Sequence, residues 1–146
     1  MRSSLNNIYM IDFKIAKPEG IVYEGEVERI TIPTLSGEIT VLENHAPLVS
    51  VLDTGEMIVH VSNKETVSIS ISGGILEIRP DSKVYIMADS AEKSEEIDIE
   101  RAEEAKNRAQ EMLEKEKNLA DVDFARLQAI IEKEMNRIHI AKKYRK

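Results

Sequence analysis

No cysteine occurs among the 146 residues, which excludes a disulfide framework, thiol catalysis and Cys-ligated zinc or iron–sulfur sites. Tryptophan is also missing and aromatics amount to only 4%, so the core has to be aliphatic. No apolar run approaches the ~20 residues that span a bilayer, which leaves only indirect membrane association. The first seven residues, Met1 to Asn7, hold no hydrophobic stretch, and no signal peptide is expected there. Residues 1–9 read as an N-terminal extension, expected to be disordered, with Met10 as an alternative start. Glycine and proline number 6 and 4, and none falls after Pro80. The punctuation of the chain is therefore confined to its first part.

Catalytic signatures are missing as well. The sequence contains no GxxxxGK[ST], GxGxxG, GxSxG or HExxH pattern. The three histidines, His45, His60 and His139, are widely spaced and form no ligand motif. Ser72-Gly73-Gly74 is glycine-rich, but no helix follows it to present an N-terminus to a phosphate. Neither catalysis nor a bound metal is expected.

What is present is charge, unevenly placed. Residues 1–91 carry 7 basic and 13 acidic side chains and residues 92–146 carry 13 and 14, giving −6 and −1. An acidic chain without a basic, aromatic-interleaved stripe is a poor nucleic-acid binder. Near the C-terminus Arg137, Lys142, Lys143, Arg145 and Lys146 have no acid among them. They read either as cations complementing a helix C-terminus or as a docking patch for an acidic partner.

The first part reads as strands. In Tyr9–Ala16 the residues Ile11, Phe13 and Ile15 share one face, and Lys17-Pro18-Glu19-Gly20 is a turn. Residues 21–32 read as one long extended segment bent at Gly25, with Val27, Ile30 and Ile32 inward. Short strands follow at 38–42 and 48–52, separated by the loop Glu43–Pro47. Met57, Val59 and Val61 then alternate with Ile58, His60 and Ser62. A tight turn at Asn63-Lys64 leads to Val67, Ile69 and Ile71, alternating with serines, which predicts one packed and one wet face. Gly73-Gly74 allows a close backbone approach or a bulge before 75–78, and 84–88 is the last strand. Eight or so short strands without an intervening helix predict a β-sandwich or barrel over residues 10–91.

From Asp98 the period changes to that of a helix. Ala102, Ala105, Ala109, Met112 and Leu113 share one face, Asp98 is a natural N-cap, and Asn118–Asp121 is the break. A second helix from about Asp123 carries Phe124, Leu127, Ile131, Met135 and Ile138. Residues 92–146 therefore read as an antiparallel two-helix hairpin. Its stripes are too narrow for an independent core, so it leans on the sandwich or on a partner. Arg101 and Arg108 are two turns apart and share a face, as do Lys133 and Arg137. If the hairpin closes with those faces adjacent, four cations converge, with Asp98 and Glu92 nearby to accept hydrogen bonds. Such a group suits a phosphate chain. The competing reading of Arg108 is an ordinary surface pair with Glu104.

Several blocks give the chain a resemblance to a known family. They are Pro18-Glu19-Gly20-Ile21-Val22-Tyr23-Glu24-Gly25, Gly37-Glu38 through Asn44-His45-Ala46-Pro47-Leu48, Ser72-Gly73-Gly74-Ile75-Leu76-Glu77-Ile78 and Ile97-Asp98-Ile99-Glu100-Arg101-Ala102. In this order and spacing the chain resembles the epsilon subunit of bacterial F-type ATP synthases from Met10 to its C-terminus. The resemblance implies a non-catalytic accessory subunit of the central stalk, peripheral on the cytoplasmic face of the bacterial membrane, in a proton-translocating complex. Its β-sandwich would bind the gamma subunit and the c-ring, with Glu38 and His45 at the rotor contact. The helical hairpin would be mobile and would restrain ATP hydrolysis when extended into the catalytic alpha/beta head.

Some members of that family bind ATP through the pattern [IL]-D-x-x-R-A, met here by Ile97, Asp98, Arg101 and Ala102. The family's further contacts fall on Glu92, Arg108, Lys133 and Arg137. Lys133 stands where ATP-binding members carry arginine, and a point charge replaces a bidentate fork. No obligatory cofactor is implied, with ATP a regulatory ligand. A reading from another class is a free-standing adaptor with an acidic sandwich and an oligomerising hairpin, which predicts a self-sufficient oligomer.

Overall fold

The computed structural model describes residues 10–116 and 118–145; the expected N-terminal extension at residues 1–9 lies outside them. The described residues divide into two compact units, one ending at Lys93 and the other beginning at Ser94. The first is an eight-stranded β-sandwich and the second a pair of helices.

The strands are β1 (Ile11–Lys17), β2 (Gly20–Val27), β3 (Arg29–Thr34), β4 (Gly37–Val41), β5 (Leu48–Val51), β6 (Gly55–His60), β7 (Thr66–Arg79) and β8 (Lys83–Lys93). Hydrogen bonding follows the order β2-β1-β8-β7-β6-β3-β4, with β5 on the second half of β7. All the pairs are antiparallel except β1 with β8. Residues 21–32 do not form one segment. The break falls at Glu28, where the chain leaves β2, at one end of this order, for β3, near the other. Glu28 donates its N–H to His60 O (2.8 Å), so the break is held by β6 and not by the flexibility of Gly25.

β7 is one strand of 14 residues and not two. Its first half pairs with β6 and its second with β5. Gly73 (φ +74) and Gly74 (φ +127) stand between these halves, where an added Cβ on Gly74 would lie 2.7 Å from Ala88 Cα. This is the close backbone approach the glycine pair allows.

The β6–β7 connection is also longer than a two-residue turn. His60 pairs with Thr66, and residues 61–65 close on themselves through Val61 N–H and Ser62 N–H to Glu65 O (3.0 and 3.2 Å). Neither Asn63 nor Lys64 adopts the positive φ that a two-residue hairpin turn requires. The serine face of β7 is not wholly wet either. Ser70 is buried, and Ser68 Oγ donates to Glu56 Oε2 (2.6 Å).

The core is aliphatic. Ile11, Phe13, Ile15, Val27, Ile30, Ile32, Met57, Val59, Ile69, Ile71 and Leu76 are fully buried and belong to one cluster. The alternation that produces it is the period-two rule of a strand with one packed face.

In the second unit a 3-10 turn (Ser94–Glu96) precedes α1 (Ile99–Lys115) and α2 (Asp121–Tyr144). Asp98 caps α1, its Oδ1 accepting from Arg101 N–H at 3.1 Å. α1 buries Ala102 and Ala109 as its periodicity implies, although Met112 is exposed. On α2 the inward line keeps part of the expected apolar stripe, with Leu127 buried and Ile131 and Ile138 half-buried, but is rotated away from its other two members. Leu127, Glu134, Ile140 and Ala141 are buried, whereas Phe124 and Met135 are 47% and 53% exposed. The cause lies where α1 begins: Ile97 packs against Ile140 and Ala141. With Ala141 turned inward, positions seven and fourteen earlier follow at two-turn steps, and those positions are Glu134 and Leu127.

Candidate functional site

The buried line of each helix locates the cations. Arg101 and Arg108 directly precede the buried Ala102 and Ala109, which puts each about 100° round α1 from the packed face. On α2, Lys133 directly precedes Glu134 and Arg137 follows it by three, which is the same rotational sense. In an antiparallel pair the same sense on each helix brings both sets to one edge. The opposite edge is marked by Glu103 and Lys142, which follow Ala102 and Ala141 and form an ion pair at 3.6 Å.

That pair also sets the level. Five residues on from Glu103 and five back from Lys142 stand Arg108 and Arg137, at the same height. Arg101 lies about 10 Å from Arg108 along the axis, and Lys133 about 6 Å beyond Arg137 in the other direction. The four cations therefore share an edge but spread along it, with Arg108 and Arg137 at its centre. Arg101 and Arg108 are exposed, and Lys133 and Arg137 are partly buried. Arg108 also lines a shallow depression of about 240 Å³ with Glu111, Met112 and Lys115.

The side chains of the hexapeptide divide by role. Ile97 is 2% exposed and Ala102 fully buried, so both serve packing. Asp98 is committed to the helix cap by one oxygen, and the Arg101 side chain faces outward. Glu92 belongs to the first unit, on β8 opposite Ser70.

Sequence reasoning missed Glu134. Its Oε2 accepts from Arg137 Nη1 at 2.7 Å, with side-chain exposures of 6% and 18%. The i, i+3 spacing of Glu and Arg was the available signal. Of the C-terminal cations, Lys142 and Arg145 find partners that their own segment does not supply, and Lys146 lies outside the described residues. Lys142 meets Glu103, and Arg145 Nη2 donates to Ser94 O and Glu95 O, both at 3.0 Å.

The two residues assigned to the rotor contact lie at opposite ends of the short β4. Glu38 is exposed beside the β3–β4 turn, where Gly37 has φ +117 and Thr34 Oγ1 donates to Gly37 O (2.6 Å). His45 sits in the loop after β4, its Nδ1 donating to Ala46 O at 2.7 Å. That loop is tied to the β7–β8 turn by Asn44 N–H donating to Ser82 Oγ at 2.8 Å. Asn44, Asp81 and Ser82 all adopt left-handed φ near 60°, a conformation short polar side chains tolerate best.

Two family profiles match the chain in order. One, described as ATP synthase, Delta/Epsilon chain, beta-sandwich domain, covers residues 10–94, and the other, the long alpha-helix domain of the same chain, covers residues 95–142. The chain belongs to the ATP synthase delta/epsilon family. Among its relatives is the ATP synthase epsilon chain of Halalkalibacterium halodurans, 38% identical over 128 residues, spanning 87% of this chain and 93% of that one. That of Dehalococcoides mccartyi is 40% identical over 132 residues, spanning 90% and 92%. Among solved structures, a chain of the Euglena gracilis mitochondrial ATP synthase (OSCP/F1/c-ring) superposes with a TM-score of 0.70. It is 26% identical and covers 92% of this chain and 82% of that one. Among the described residues no helix is long and apolar enough to cross a membrane.

Proposed function

We propose that this family member is a non-catalytic epsilon subunit of a bacterial proton-translocating ATP synthase. Its sandwich joins the central stalk through the gamma subunit and the c-ring, with Glu38 and His45 at the rotor contact. Its hairpin regulates ATP hydrolysis, restraining it when the helices extend into the alpha/beta head, and closes around ATP. The subunit is peripheral, on the cytoplasmic face of the membrane. One observation carries the nucleotide part: Arg101, Arg108, Lys133 and Arg137 occupy one edge of the hairpin, while Glu103 and Lys142 neutralise each other on the other. An edge of guanidinium and ammonium groups is suited to phosphate oxygens.

The test is calorimetric titration of the full chain with ATP. Arg101→Ala is expected to weaken binding about tenfold or more, a charge-assisted contact being worth ~1.5–3 kcal/mol. Asp98→Ala confounds ligand and cap, so Asp98→Ser, which keeps a capping oxygen, isolates the carboxylate. Equal affinity in the wild type and both variants would sink the nucleotide reading. For the coupling role, a synthase assembled with the chain cut after Lys93 should retain the subunit and hydrolyse ATP faster than one with the full chain. A cut chain that no longer joins the stalk would refute this assignment of roles.

A further inference from the structure

Glu134 is, among the described residues, the buried ionisable group that the proposed function does not use. Its side chain is 6% exposed and stands on the line where α2 packs, and Oε2 takes a 2.7 Å hydrogen bond from Arg137 Nη1. Arg137 is level with Arg108 at the middle of the cationic edge. We propose that Glu134 is an internal counter-anion, which competes with a bound phosphate group for Arg137 and holds down the anion affinity of the hairpin. The inference rests on the reading of that edge as a polyphosphate site.

Two effects act in the same direction. To turn its fork fully toward a phosphate, Arg137 must release a carboxylate that stays buried, and an uncompensated buried charge is strongly disfavoured. If Arg137 keeps Glu134, the buried carboxylate still repels the incoming anion. Either way the ligand gains less from Arg137 than from a free guanidinium. Lys133, a point charge without a fork, cannot make good the difference. Affinity is thereby set by a residue that does not itself touch the ligand.

Glu134→Gln keeps the shape and a hydrogen-bond acceptor for Arg137 but removes the charge. ATP binding to the full-length variant, followed by calorimetry, is expected to be about tenfold tighter than to wild type. Glu134→Asp retains the charge and serves as control, with affinity close to wild type. Helical circular dichroism under urea, recorded for all three, reports changes in hairpin stability separately. Tighter binding by the Gln variant alone supports the inference, including the case in which wild type shows no measurable binding. Equal ATP affinity in wild type and Glu134→Gln overturns it while leaving the nucleotide reading intact. Weaker binding by Glu134→Gln also overturns it and makes Glu134 a positioning residue for Arg137. A gain shared by the Gln and Asp variants overturns it in favour of packing. Binding by none of the three refutes both the inference and the reading beneath it.

Discussion

Gly74 and Gly37 separate two costs that a glycine can avoid. At Gly37 the φ of +117 is unfavourable for any side chain, but an added Cβ meets nothing; at Gly74 the φ of +127 combines with a Cβ pressed against the backbone of Met87 and Ala88. Gly37→Ala should therefore cost ~1–2 kcal/mol and Gly74→Ala about 3 kcal/mol or more, read as shifts of the urea midpoint. The sequence marked the second site, because paired glycines inside an alternating strand have few other uses. It did not mark Glu134, whose inward position depends on Ile97 meeting Ile140 about forty residues later. His60 supplies a prediction in pH. Burial first, and the nearby Arg29 second, lower its pKa below the usual 6.5. The unfolded chain therefore binds more protons than the folded one between that depressed value and 6.5. Stability should rise with pH through this window and be lost on acidification below 6.5. Replacing His60 by Gln should flatten that part of the stability profile.

At the scale of elements, strands and helices were legible wherever a single period governed burial. The alternations 11-13-15, 57-59 and 69-71 all reach the core, and the change of period at Asp98 marks a capped helix. Breaks and rotations were less legible, since each is decided by a partner distant in sequence. Extended residues 21–32 divide at Glu28 because β2 and β3 bond to different strands, and local composition carries no trace of that. The rotation of α2 has the same origin. Of its expected stripe at 124, 127, 131, 135 and 138, Leu127 is buried and Ile131 and Ile138 half-buried, while Phe124 and Met135 stay exposed and Glu134 and Ala141 complete the inward line. This assigns unequal weight to two similar side chains. Ile140→Ala should destabilise the helices by ~2–4 kcal/mol, whereas exposed Met135→Ala should cost well under 1 kcal/mol. Urea titrations followed at 222 nm would rank the two.

Among the described residues, each of the two units has its own cluster of buried apolar side chains. One draws only on residues 11–91 and the other on Ile97, Ile140 and Ala141 with Ile99 at its margin. A chain ending at Lys93 should therefore unfold in one cooperative transition with most of the enthalpy of its own strands. A peptide of residues 94–146 should be only fractionally helical in water, since so small a core scarcely offsets the cost of helix nucleation. Calorimetry of the first and circular dichroism of the second check this. The route by which β8 leaves the sandwich has a mechanical meaning. β8 bonds to β7 along its full length and to β1 over residues 83–87, and its C-terminal end leads directly into Ser94 and the helices. Tension transmitted through Ser94 along the strand axis loads these rungs together, in shear, instead of peeling them one at a time. A pull on the helices would thus unravel the helices long before it drew β8 from its place, which makes the last strand an anchor for whatever tugs on the C-terminal half.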